Sequence, residues 1–181
     1  MKIFRMLAGL GLLLTAAVTY GSVKSDYDRD FDLGKLKTFA FNAQNRSDKD
    51  PLRTDTLLAN RIENAVRSQL EARGFQYASD GNADFLVSYF ASSKERLNIQ
   101  DFGYAMPRRW RWGFGPNIWT SYYTVGSVVV DFIDPSSQQL IWRGIASETV
   151  SGVNPSDKQV NKGAEDLTKH FVKDVKKERR A

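Results

Sequence analysis

The stretch Val125-Gly126-Ser127-Val128-Val129-Val130-Asp131-Phe132-Ile133-Asp134-Pro135-Ser136-Ser137-Gln138-Gln139-Leu140-Ile141-Trp142-Arg143-Gly144 decides the fold. Two runs rich in β-branched and aromatic residues flank Asp134-Pro135-Ser136-Ser137, a turn-forming cluster. The reading is a β-hairpin, with a strand over residues 121–133 and its return over residues 138–150. A hairpin of this apolarity needs further strands beside it and a layer to cover it.

Those partners are found upstream and downstream. Residues 83–92 alternate as a strand, with Phe85, Val87 and Tyr89 on one face and Leu86 and Phe90 on the other. Residues 94–102 are compatible with a strand pairing to it. Residues 37–42 (Lys-Thr-Phe-Ala-Phe-Asn) form an earlier strand, and residues 75–78 a short one before the turn Ser79-Asp80-Gly81-Asn82. Between these lies the clearest helix, residues 54–73, with Leu58, Ile62, Ala65, Val66 and Leu70 at helical spacing. Gly74 follows at the position where a positive φ is wanted. A last helix follows Asn154-Pro155, with Ser156 and Gln159 spaced as a capping box. Its apolar stripe is Val160, Ala164, Leu167, Phe171 and Val175, and its end is basic. The predicted fold class is α+β: a mostly antiparallel sheet with two helices packed on one face, in the order β-α-β-β-(β)-β-β-α.

Residues 1–21 read as a secretory signal. Lys2 and Arg5 form a basic n-region, and Leu7 to Val18 an apolar run too short to span a bilayer comfortably. Small residues at Thr15 and Ala17, or Thr19 and Gly21, suit cleavage. The domain reading is signal 1–21, an extended polar lead-in 22–36, one α+β domain 37–176 and a basic tail 177–181. The address it implies is export to the periplasm, peripheral to a membrane.

Composition narrows the classes. An apolar content of 41% with 12% aromatics excludes wholesale disorder. Formal charge is +5, and without residues 1–21 the chain has 24 basic against 21 acidic residues, which does not argue for nucleic acid. The absence of cysteine removes disulfides, thiolate catalysis, Cys-based metal sites and a lipidated cysteine.

Three segments resemble a known family. They are Ser25-Asp26-Tyr27-Asp28-Arg29-Asp30-Phe31-Asp32 with Leu36-Lys37-Thr38-Phe39-Ala40-Phe41; Ala83-Asp84-Phe85-Leu86-Val87-Ser88-Tyr89; and residues 123–144 with Gly126, Asp131, Asp134, Leu140, Trp142 and Arg143. The pattern resembles a bacterial family of envelope lipoproteins described only as a domain of unknown function. The resemblance spans most of residues 25–175 and implies a periplasmic α+β domain, often lipid-anchored, with no activity attached. Gly21-Ser22 stands where many members carry the lipidated cysteine.

Few residues promise chemistry. Asp26, Asp28 and Asp30 match the opening of a calcium loop, but Phe31 and Lys37 occupy its glycine and glutamate positions, so the motif fails. His170 is the only histidine and has no partner at ligand spacing. No metalloprotease, nucleophile-elbow or P-loop pattern occurs. Asp131, Asp134 and Glu148 would serve a hydrolase only if two of them faced one cleft. Asp134 reads better as a turn residue, and Asp131 as bonding nearby loop amides or pairing with Arg143 across the hairpin. Trp142 reads as core. These readings give no enzyme, no metal and no cofactor.

The remaining candidate is a loop, residues 103–120, where Arg108, Arg109, Trp110, Arg111, Trp112, Phe114 and Trp119 stand among glycines and prolines. An extended Arg109–Trp112 puts tryptophans on one side and arginines on the other, a surface suited to anionic head groups or a partner protein. Near an anionic membrane each arginine contributes about 1 kcal/mol, so three give a weak contact of about 3 kcal/mol. The other expectation is that the tryptophans fold back as a lid. The functional expectation is a non-catalytic binding or adaptor domain contacting an envelope partner or membrane surface. The alternative is a carrier of a small apolar ligand, in a pocket between sheet and helices lined by Phe85, Val128 and Trp142.

Overall fold

A computed structural model describes residues 22–42, 50–91, 127–147 and 155–178. Six strands form one mixed sheet: β1 (Ser22–Tyr27), β2 (Thr38–Phe41), β3 (Gln76–Tyr77), β4 (Phe85–Ala91), β5 (Ser127–Ile133) and β6 (Leu140–Ser147). Two helices, α1 (Thr56–Glu71) and α2 (Asp157–Glu178), pack on one of its faces. Strand order across the sheet is β1-β6-β5-β4-β2-β3.

The deciding hairpin is β5–β6, with Asp131 opposite Arg143 and Val129 opposite Ile145. β4 pairs antiparallel with β5, and β1 antiparallel with β6. β2 is parallel to both its neighbours, β3 and β4. The cause is local: α1 carries the chain from β2 to β3 as a crossover, which a parallel pair requires.

The segment read as an extended lead-in is corrected by the sheet. Residues 22–27 are indeed extended, but they are paired along their length with β6, so the element order opens β-β-α. The strand expected over residues 94–102 lies outside the described residues.

Helix boundaries follow their caps. Asp55 caps α1 by accepting from Leu58 N (2.9 Å). At the other end Gly74 N donates to Glu71 O (3.0 Å) and Phe75 N to Leu70 O (3.2 Å), with Gly74 at φ 91°. This is the Schellman arrangement, and Gly74 supplies its left-handed residue. α2 opens on the expected capping box: Ser156 N donates to Gln159 Oε1 (2.8 Å) and Gln159 N to Ser156 Oγ (3.3 Å).

Leu58, Ile62, Ala65, Val66 and Leu70 of α1 are all buried, as are Ala164, Leu167, Phe171 and Val175 of α2. Aromatic rings fill the layer between helices and sheet. Phe132 lies 4.7 Å from Phe85, 4.8 Å from Trp142 and 4.6 Å from Phe171 between ring centroids. Gly144 permits this packing. A Cβ there would stand 2.2 Å from Trp142 Cη2 and 2.6 Å from Leu167 Cδ2, so only glycine lets the indole lie across β6.

Candidate functional site

The sheet face away from the helices carries a polar row across its strands. Asp26 of β1 is in register with Arg143 of β6, Arg143 with Asp131 of β5, and Asp131 with Ser88 of β4. Asn42, just past β2, extends it by donating from Nδ2 to Ser88 Oγ (3.4 Å). Ser88, Asp131 and Arg143 are buried. Apolar rows flank them, with Phe90, Val129 and Ile145 to one side and Ile133 and Leu140 to the other.

Asp131 and Arg143 engage through two parallel bonds. Arg143 Nε donates to Oδ1 (2.5 Å), and Nη2 donates to Oδ2. Burial pushes the Asp131 carboxyl up, while the guanidinium opposite pulls it down by charge and by hydrogen bonding. An arginine cannot surrender its proton in exchange, so the carboxylate and its counter-charge stand or fall together. Asp131 has no exposed surface on which to meet a substrate. Of the two pairings considered for it, the one with Arg143 is present.

Asp134 is consumed by the turn. Its carboxylate accepts from Ser136 N (3.3 Å), Ser137 N (3.0 Å) and both serine hydroxyls. Burial nudges its carboxyl up, but these hydrogen bonds hold it below the usual 3.8. Glu148 lies outside the described residues. The two described members of the hydrolase trio therefore serve a buried ion pair and a turn.

The aspartates of the N-terminal segment do not converge. Asp26 accepts from Tyr27 N (3.0 Å), Asp28 from Asp30 N (3.0 Å), and Asp32 from Gly34 N (3.0 Å). Among the described residues no three His, Asp or Glu side chains gather at metal-binding distance. His170 sits half-buried on α2 beside a shallow open groove of about 280 Å³, lined also by Val23, Asp166, Lys169 and Lys173. Trp142 is fully buried and donates from Nε1 to Asp174 Oδ2 (3.0 Å). The same oxygen accepts from Ser25 Oγ (2.8 Å), so one carboxylate joins β1, β6 and α2.

The arginine–tryptophan candidates, Arg108, Arg109, Trp110, Arg111, Trp112, Phe114 and Trp119, lie outside the described residues. Sequence reasoning missed β1 as a strand and the polar row it completes. The signal was present: Val23, Ser25 and Tyr27 alternate with the charged Lys24 and Asp26.

The comparisons agree with this architecture. The family model described as "Domain of unknown function (DUF4136)" matches residues 23–168. No curated protein matches the chain. Among solved structures, the chain is similar to a DUF4136 family protein from Bacteroides thetaiotaomicron at 17% identity and TM-score 0.50, over 84% of this chain and 97% of that one. It is also similar to a PDZ domain protein from Parabacteroides distasonis at 14% identity and TM-score 0.53, over 82% of this chain and 35% of that one. A PelC dodecamer from Paraburkholderia phytofirmans is more distant, at 13% identity and TM-score 0.41 over 83% and 96% of the two chains. At these identities the first two likenesses are of fold alone.

Proposed function

The chain belongs to the DUF4136 family, a domain of unknown function, and from that premise we propose an exported, non-catalytic binding domain of the bacterial cell envelope. The observation that carries this reading is the commitment of five aspartates of the N-terminal segment and the hairpin. Asp131 is locked to Arg143, Asp134 to its own turn, and Asp26, Asp28 and Asp32 to nearby amides. None is left in a cleft as a general acid or base. Rings packed about Phe85, Phe132, Trp142 and Phe171 occupy the space in which a carrier would hold its ligand, so binding at a surface is favoured over binding inside.

The basic n-region and apolar run of residues 1–21 support export. The surface assigned to contact is Arg108, Arg109, Trp110, Arg111, Trp112, Phe114 and Trp119, where flat apolar rings alternate with fixed positive charge. The partner is an envelope protein or an anionic membrane surface. The test replaces Arg109, Trp110 and Trp112 together with alanine in the full chain and follows it through cell fractionation. A fold unchanged by circular dichroism with a severalfold shift from membrane to soluble periplasmic fractions is the expected result. An unchanged distribution removes the contact surface, and a wholly cytoplasmic protein removes export.

A further inference from the structure

The two edges of the sheet differ. β3 is only two residues long, and Arg67 lies over its Tyr77 ring at 4.0 Å. β1 is six residues long, pairs only with β6 among the described strands, and leaves its other side as the sheet edge. The direction of its backbone groups follows from the register. Asp28 N donates to Ile141 O (2.9 Å), so Asp26 and Lys24, on the same alternation, are bonded inward to β6. Val23, Ser25 and Tyr27 then direct their N–H and C=O outward. Such a row is a template for another strand.

The side chains on this edge are complementary to themselves. Laid antiparallel to its own copy about Ser25, β1 places Ser25 opposite Ser25, Lys24 opposite Asp26, and Val23 opposite Tyr27. Opposite charges then meet twice on the face away from the helices, and apolar groups meet on the helix face. A slip of two residues puts Lys24 against Lys24 or Asp26 against Asp26, so the charges select a single register. Among the described residues neither Lys24 nor Asp26 makes an ion pair within 4 Å, although the charge of Arg29 acts on Asp26 from farther away. Asp26 instead accepts from the outward Tyr27 N. It caps that amide in the single chain.

We propose that the chain self-associates through β1, two copies joining edge to edge about a two-fold axis at Ser25 into one continuous sheet. The interface is isologous, as a closed dimer requires. One strand pair is smaller than a standard interface, so the dimer is weak and concentration-dependent. It uses none of the residues assigned to envelope contact, and either can fail without the other.

The absence of native cysteine makes the test direct. Residues paired at the axis have Cα atoms about 5.5 Å apart, within the range of about 4.4–6.8 Å that a disulfide bridges. Two copies of residue 23 would lie about 13 Å apart, four residues along the strand. The full chain carrying Ser25→Cys or Val23→Cys is expressed in cells, oxidised with copper phenanthroline and run on a non-reducing gel. Ser25→Cys is expected to give a dimer band and Val23→Cys none. Adding Lys24→Asp to Ser25→Cys lowers the band at least fivefold, and adding Asp26→Lys as well restores it. Co-expressed Lys24→Cys and Asp26→Cys chains, altered on the side away from the helices, must also cross-link to each other. No band from Ser25→Cys and none from that mixed pair overturns the proposal. Equal bands at positions 23 and 25, or a band indifferent to Lys24→Asp, overturns it too.

Discussion

Asp131 and Arg143 stand six residues to either side of Ser137, within the turn that joins their strands, and they neutralise each other where neither touches solvent. The pair is not a gain over an apolar core of the same shape, because two ions had to be dehydrated. Its consequence lies in what happens when one member is lost. Arg143→Met leaves Asp131 charged and alone, or forces it to take up a proton, and is expected to lower unfolding free energy by about 3–5 kcal/mol. The double variant Arg143→Met with Asp131→Leu removes both ions and is expected to recover most of that loss. Urea denaturation of the two variants checks this, and a double variant as unstable as the single one would show that the pair contributes more than mutual neutralisation. At this scale the sequence was informative, since symmetric placement about a turn is what makes two residues face across a hairpin.

Elements were legible to the degree that their signals are local. α1 and α2 follow from 3.6-residue periodicity together with Gly74 at one end and the Ser156–Gln159 box at another, all set by neighbouring residues. β1 carries the alternation of a strand, but its partner β6 comes more than a hundred residues later, so residues 22–27 alone do not name the pairing. The parallel placement of β2 between β3 and β4 is less legible, because both partners lie beyond the α1 crossover. Asp84 fixes that arrangement, its Oδ2 accepting from Lys37 N and Thr38 N (2.9 Å each) as β2 begins. Burial pushes the Asp84 carboxyl up, but the amides of Thr38 and Lys37, the Thr38 side chain and the Lys37 charge together hold it below the ordinary 3.8. A carboxyl depressed by folding adds stability above its unfolded value and loses it as pH falls through the folded one. The parent chain should therefore lose part of its stability below about pH 4. Asp84→Ala should start about 1 kcal/mol less stable at pH 7 and show a shallower acid decline. Melting temperatures from pH 7 to pH 3 measure both, and parallel curves for the two proteins would show that Asp84 contributes no acid sensitivity.

Across the whole molecule, β1 and α2 close the structure on each other. Asp174 accepts from Ser25 and Trp142, and Glu178 accepts from Leu33 N (2.8 Å), so the last turns of α2 hold the first strand and the turn that follows it. A chain ending at residue 139 keeps α1 and β1 to β5 but lacks the strand between β1 and β5 and the helix that covers Trp142 and Phe132. It should show no cooperative thermal transition by circular dichroism. A sharp transition in that fragment would place the stability in the β2–α1–β4 half instead. The α+β class and the helix–sheet layering could be read from the sequence, whereas this closure could not, because it depends on contacts between distant segments.

That closure also sets an order of events. β1 is made first, yet its partner strand and the helix that fastens it are made last, and contacts so distant in sequence form slowly. A chain threading N-terminus first through a membrane pore would therefore stay open and threadable until its final helix had crossed, and would then fold on the far side.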